Sequence, residues 1–570
     1  MLLIKVPDVF HTRSIIVQRR RQACGLRRNA QAKKLEKRDK TLKIITRTKK
    51  DFRRGAGLAL VGVLALSACT QNGDGETPTG DSAAAGSLAG PINADPRTFN
   101  PAQATTNADY QVARLGFDTA LRRDDEEGIV GGLASDYEAS ETGVELTIRE
   151  DAVCSDGTEI TPTVVADSLA YLADPDTSSP QAVQIFGSGD ITVTADEEAG
   201  TVNVETTEPY SELAVGLTHP AAGIICPSGL EDIEALGNGN VEGANSGQYS
   251  LTQVESGVAY QFEFNDTYSH WPYYSEELEG HPAQAIELTP HAMETGPNQV
   301  LTGEMDFSQL EYHDVERFDE EEFNFSRGSV GEHFLVFNHS DSSPFQDYEN
   351  RVAAAQAIDQ EAYQAAVNPE ADLIYSAGDA GVECVIEDPE YMVSHDPDAA
   401  AEVLNGLDVR IISTDVIGTS GSGGEYIQEA LRPTGANVSL TNTDTGTWVD
   451  TILTPDDKES WDVALWSAVN IGGTITNGLS RVVGDTVEEG GRNFSYATNE
   501  EADERYREAL AAEDEEEACE AFLETQEMVL DEVVFVPLTS DPSIFVSREG
   551  VTMRHIQERE DLSTLRIVED

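Results

Sequence analysis

Cys69 is the first residue of this chain with an evident chemical task. It closes the tetrad Leu66-Ser67-Ala68-Cys69, directly behind the apolar run GAGLALVGVLA and ahead of the polar stretch TQNGDGE. A thiol placed after small residues at the end of an apolar run matches the bacterial lipobox, in which the cysteine is acylated and becomes the first mature residue. Four cysteines follow it, Cys154, Cys226, Cys384 and Cys519. An even count in an exported chain predicts two disulfides. Three pairings are possible, and Cys154 with Cys226 and Cys384 with Cys519 is the expected one. No C-x-x-C occurs, so neither a zinc site nor a redox motif has support.

Catalytic patterns are missing in the same way. The sequence has no G-x-S-x-G, S-x-x-K or H-E-x-x-H, and the loop GTSGSGG lacks the lysine of a P-loop. His333 and His339 stand six apart and would share one face of a strand, which is the only arrangement suggestive of a metal or metal chelate. Histidines in strands are more often structural, and no metal or cofactor is expected. With 104 Asp and Glu in the chain, some acid pair always looks catalytic, so such pairs carry no information. No enzyme chemistry has a motif to support it.

The elements that position these residues begin with an export segment. The apolar run is about 12 residues, whereas a bilayer span needs roughly 20. Lys49, Lys50, Arg53 and Arg54 precede it, so residues 49–68 read as a lipoprotein signal peptide and 69–89 as a flexible Gly, Ser and Thr-rich tether. Residues 1–48 form a basic extension, as expected of a translation start placed too far upstream. Residues 1–68 hold 18 of the 37 Lys and Arg but 4 of the 104 acids, which leaves the remainder near −81 with Lys458 as its one lysine. That charge repels nucleic acid and anionic lipid surfaces. Acid-rich, lysine-poor surfaces suit high salt, where screening over a few ångströms relieves self-repulsion, and adaptation to salt or alkali is expected.

The remaining 500 or so residues mix strands with helices. VELTIRE alternates Val144, Leu146 and Ile148, and ITVTADEEAGTVNVET reads as two strands joined near Gly200. TVVADSLAYLA, NRVAAAQAIDQEAY and the segment from Asn499 to Glu532 carry helical patterns. DVRIIS, a Gly-rich loop, EYIQEALRPTG and ANVSL together make a βαβ unit.

Several segments in order resemble the solute-binding lipoproteins of peptide, nickel and opine ABC importers. ADPRTFNPAQ is similar to that family's opening D-P-x-x-F-[DN]-P, and GGLASDY to its G-L-A-x-x-[WY] turn. LTIREDAVCSDGTEITP carries the most specific match, through Ile148-Arg149, Ser155-Asp156-Gly157 and Thr161. ANSGQYSL, FEFNDTYSHW, LTGEMDFSQL, HFLVFNHSDSSPFQDYENRVAAAQAIDQEAY and VVFVPL follow in the family's order.

The resemblance implies an α/β, two-lobed periplasmic-binding fold of the type II kind with an extra subdomain in the first lobe. It places the first lobe at 90–327, with the extra subdomain at about 105–240, the second lobe at 328–531, and a return to the first at 532–570. It further implies a monomer that captures a small molecule or short peptide, works with permease and ATPase subunits, and is held to the membrane by the lipid on Cys69. An extracytoplasmic sensor or partner-binding lipoprotein of the same fold, or an importer component for a non-peptide solute such as a metal chelate, is the alternative. The family's peptide binders carry an aspartate after a Trp-rich strand, in W-x-x-D-x-x-D-P. Here Trp461 and Trp466 are followed by Val469, Asn470 and Ile471, which suits a neutral, hydrogen-bonding solute. Trp466 and Asn470 are the expected ligand contacts, joined by Asn338 at the end of HFLVFN and by Asn107 and Tyr110 in the first lobe. Cys154 stands where the family has a tryptophan, as a disulfide partner would.

Overall fold

A computed structural model describes residues 86–568, apart from 127, 141, 291, 293 and 513. Cys69, the signal peptide and most of the tether lie outside the described residues. Among those described, no helix is long and apolar enough to cross a membrane.

Three sheets organise the chain. Ser87–Ile92, Ala285–Pro290, Ala259–Phe264 and Tyr249–Glu255 form a four-stranded sheet in that order, parallel only at its first pair. Ala134–Ser140, Gly143–Ile148, Thr201–Thr206 and Ile191–Asp196 form an antiparallel second sheet. Its alternation is the one read from sequence: Val144, Leu146 and Ile148 are buried, while Glu145 and Thr147 face water. The helix Pro162–Ala173 begins with proline at its first position, where a missing N–H costs nothing, and packs Val165, Leu169 and Leu172 into the same core.

The third sheet has six strands, in the order Phe307–Gln309, Phe535–Arg548, Phe323–Phe337, Val463–Val469, Asp408–Thr414 and Asn437–Thr443. Asp408–Thr414 and Asn437–Thr443 pair in parallel across the helix Ser422–Leu431, which is the expected βαβ unit. Phe323–Phe337 and Phe535–Arg548 run antiparallel along nearly their whole length. Their register shifts between Ser329 and Gly331 and again between His333 and Phe334. Bulges bend and twist a strand, so the ribbon is bent where it passes from one core to the other. Gly331 is required there, because a Cβ would lie 1.6 Å from the Ala468 carbonyl oxygen. The mixed α/β, two-lobed architecture expected from the sequence is the one observed.

Two helical readings are interrupted. NRVAAAQAIDQEAY forms Tyr348–Ala357 and Gln360–Val367, because Asp359 turns its side chain onto the Ala362 N–H and starts a new helix. Asn499 to Glu532 likewise divides into Glu500–Leu510 and Glu515–Asp531, the second capped by Asp514. Both expected disulfides form: Cys154 to Cys226 with Cα atoms 6.1 Å apart, and Cys384 to Cys519 at 5.0 Å. Beside the first, Asp156 accepts from the Thr158 N–H and Gly157 takes a left-handed conformation, so the Ser155-Asp156-Gly157 signature is a tight turn.

Candidate functional site

The helix Asn107–Gly116 brings the first site residues into place. Thr106 and Asp109 form a reciprocal capping box, and buried Asp109 also accepts the N–H groups of Arg97 and Thr105. Four bonds on one short segment fix the first turn, which carries Asn107 and Tyr110. Tyr110 is buried edge-on against His219, with ring centroids 5.1 Å apart, and clusters with Ala104 and Ile471. Burial and neighbouring Asp109 push its phenol above the usual range, against the pull of Arg492. Asn107 donates toward Glu560 and leaves its Oδ1 without a partner.

Ile471 belongs to the turn that follows the strand Val463–Val469. The turn lies directly against the N-terminal part of the chain: a Cβ at Gly472 would sit 3.4 Å from the His219 ring and one at Gly473 3.1 Å from the Arg123 guanidinium. Just beyond it, the Thr476 hydroxyl donates to Glu212, and the Ser211 N–H donates to the Leu510 carbonyl at 2.7 Å. Burial raises the Glu212 carboxyl to about 7, although Thr476 and Arg123 both oppose the shift. Burial lowers His219 to about 3, so it is a neutral imidazole in this contact. Two parts of the chain more than 250 residues apart in sequence thus meet through side chains of mixed polarity.

The expected contacts fall into two groups. Tyr110 and the segment around Trp466 are brought together, through Ile471. Trp466 is half-buried, tilted on Phe334 at 5.6 Å and edge-on to Phe494 at 5.7 Å, with the Arg481 guanidinium 5.3 Å from its ring centroid. Asn470 and Asn338 are placed differently. Asn470 is fully buried and fully engaged: its Nδ2 donates to Glu332 and to the Thr474 carbonyl at 3.0 Å each, and its Oδ1 accepts the Thr474 N–H. Asn338 donates to the Lys458 and Trp461 carbonyls and accepts the Ser340 N–H, which ties down the loop at the end of its strand. His333 bonds to the Tyr363 hydroxyl at 3.2 Å, whereas His339 lies past the strand's end at Phe337, so the two do not form a pair.

Asn470 also joins a buried ionic group at the bend of the long ribbon. Arg559 pairs with Asp379 at 2.8 Å and donates to the Asn470 and Ser329 carbonyls. Glu332 accepts from Asn470 and from the Asp379 N–H, and burial beside Asp379 raises its carboxyl. Such a group is costly to desolvate and holds only while all its bonds are made. It sits where the chain must bend and turns Asn470 into a brace for the turn that touches Tyr110.

Glu212, Thr476, Arg481, Arg492 and Tyr210 carry no sequence pattern that marks them as site residues, and Tyr506 reads from sequence only as an apolar helix contact. One signal was available: the chain after residue 68 has only eighteen arginines and one lysine among 100 acids, so an arginine with no acid beside it is unusual.

Residues 128–488 match the family described as bacterial extracellular solute-binding proteins, family 5. The chain belongs to that family. A crystal structure of a substrate-binding protein from Microbacterium hydrocarbonoxydans, complexed with 4-hydroxybenzoate hydrazide, is similar to this family 5 member at 34% identity and TM-score 0.75, covering 85% of this chain and all of that one. AgaA from A. tumefaciens R10, complexed with agropinic acid, is 17% identical with TM-score 0.69 over 85% of this chain and 99% of its own. DppA from Helicobacter pylori, complexed with the peptide STSA, is 15% identical with TM-score 0.69 over 85% and 98%. The last two share the fold. No curated protein sequence matches this family 5 chain.

Proposed function

We propose that this chain is the substrate-binding lipoprotein of an ABC importer, which captures a small solute, peptide or peptide-like, between two lobes and delivers it to a membrane permease. The observation that carries the reading is the contact of residues 471–476 with Tyr110, His219, Arg123 and Glu212, two surfaces that meet across a bent two-stranded ribbon. Such a ribbon serves as a hinge, and a solute that touches both surfaces shifts the population toward closure. The lobes divide at 90–327 and 328–531 with the return at 532–570, a division supported by the register shift at Ser329 and Gly331. Relatives complexed with a hydrazide, agropinic acid and a peptide support a ligand class of small molecules rich in amide and carboxyl groups. Acylated Cys69 would hold the monomer at the outer face of the cytoplasmic membrane, while nucleotide hydrolysis belongs to partner subunits.

The test is native mass spectrometry of the mature chain, purified in high salt, combined with small-angle scattering before and after any retained solute is removed by mild unfolding and refolding. One small solute per chain and a more compact particle when it is bound are expected. A chain that neither retains a solute nor changes its dimensions with any cell extract would refute the reading.

A further inference from the structure

Among the eighteen arginines that follow residue 68, nearly all of those buried or partly buried have evident work. Arg122 pairs with Asp118 and Asp561, Arg410 with Asp462, Arg559 with Asp379, and Arg548 with Asp306. Arg351 and Arg566 are spent on backbone carbonyls. Arg481 and Arg492 are the exception. Among the described residues no carboxylate forms an ion pair with either, no side-chain hydrogen bond satisfies either, and the Arg481 Nε is buried without a partner. They stand close enough to repel one another, and burial together with that repulsion holds Arg481 well below its usual basicity.

Their surroundings place them at the contact described above. Arg481 lies over the Trp466 ring, and the N–H of Ser495, three residues beyond Arg492, donates to the Arg481 carbonyl. Arg492 feels Tyr506 from its own side and Tyr110 and Tyr210 from across the contact. Both residues are half-buried, and the Nε of Arg481 is shut off from water. Two like charges without counter-charge, in a chain with 104 acids available to neutralise them, are an expensive arrangement unless something anionic completes it. Guanidinium groups present planar pairs of donors that match a carboxylate. The strongly negative surface repels free anions, so local recognition of this kind is needed to hold one.

We propose that Arg481 and Arg492 together seat a carboxylate of the bound solute, with the Trp466 and Tyr110 rings flanking the part of the solute next to it. This rests on the reading of the contact as a solute trap and names the substrate class: a small organic acid or a peptide with a free C-terminus, in place of the neutral solute that Asn470 suggested.

The test is calorimetric titration of the refolded, solute-free chain with two matched pairs, Gly-Phe against its C-terminal amide and benzoate against benzamide, and with inorganic phosphate. It is repeated on Arg481→Met and Arg492→Gln. An acid is expected to bind roughly 10- to 100-fold tighter than its amide, the strength of a charge-assisted contact. Each variant should bring that ratio close to one while amide affinity stays unchanged. Neither arginine has an ion pair or side-chain hydrogen bond to lose among the described residues, and methionine keeps an apolar contact on Trp466, so both variants should melt close to the parent temperature, which separates lost recognition from lost fold. Acid and amide binding equally in the parent, or a ratio that neither variant alters, overturns the carboxylate seat and leaves the import reading standing. Phosphate displacing both acids at equal concentration overturns the carboxylate class. If no acid, amide or phosphate binds, the seat falls, and the import reading stands or falls on the retained-solute measurement above.

Discussion

Replacing Glu212 by glutamine should remove a pH-dependent penalty from the contact between the two parts of the chain. Glu212 is buried, accepts the Thr476 hydroxyl, and has its carboxyl raised to about 7 from the ordinary 4.5. A carboxyl with a raised value takes up a proton when the contact forms, so the stabilisation is fully present below about 4.5 and is lost as pH rises through about 7. The difference of about 2.5 pH units corresponds to about 3 kcal/mol between the acid plateau and the alkaline one. Glutamine keeps an oxygen for Thr476 and cannot ionise. The variant should therefore match the parent near about pH 4 and exceed it by up to about 3 kcal/mol near pH 8.5. Glu332 and Glu560 are also raised by burial and keep their own pH slope in both proteins, so the quantity to follow is the difference between variant and parent in urea unfolding across that range. A difference that stays constant with pH, or a variant that is weaker at alkaline pH, would refute the assignment of the Glu212 shift to burial at this contact.

Asn470→Leu should cost about 3 kcal/mol in the same unfolding assay, because three buried bonds are lost and Glu332 keeps only the Asp379 N–H. A cost below about 1 kcal/mol would show that the turn stands without its brace. Removing Cys154 and Cys226 together as serines opens a covalent loop of sequence separation 72 and should lower stability by about 4 kcal/mol, and reductant should then lower the parent by more than the variant, which has only Cys384–Cys519 left to lose. With a surface near −81 after residue 68, the melting temperature should climb steadily between about 0.1 and 1 M salt, as the screening length contracts from about 10 to 3 Å; a flat profile argues against self-repulsion. Cys69→Ser should abolish incorporation of labelled palmitate and move the protein from the membrane fraction to the soluble one, and unchanged partition would remove the lipid anchor from the function.

Much of the fold is legible in the sequence because its signals are local. The alternation of Val144, Leu146 and Ile148 survives in the structure because one face of that strand is buried and the other wet. The βαβ unit is legible because a Gly-rich loop separates two short apolar strands from one amphipathic helix. The breaks in the two long helical patterns are less legible, because the capping aspartates Asp359 and Asp514 stand among so many other acids.

The site was legible only in part, for a different reason. Asn470 has the right type and lies in the right segment, yet its role is set by Glu332, 138 residues earlier, and by Arg559, 89 residues later. Nothing near it in the chain distinguishes an amide that greets a solute from one that braces a turn. Glu212 is equally hidden, since its burial depends on a threonine 264 residues away and 99 other acids after residue 68 have the same local chemistry. Arg481 and Arg492 are different in kind. In an acidic chain the informative residue is the rare cation left without an acid, and scarcity is visible before any fold is known. On the proposal of a carboxylate seat, the absence of a pairing aspartate after Trp466 and the two arginines shortly beyond it that have no ion pair among the described residues are parts of one statement: a cleft suited to an anion in place of an ammonium.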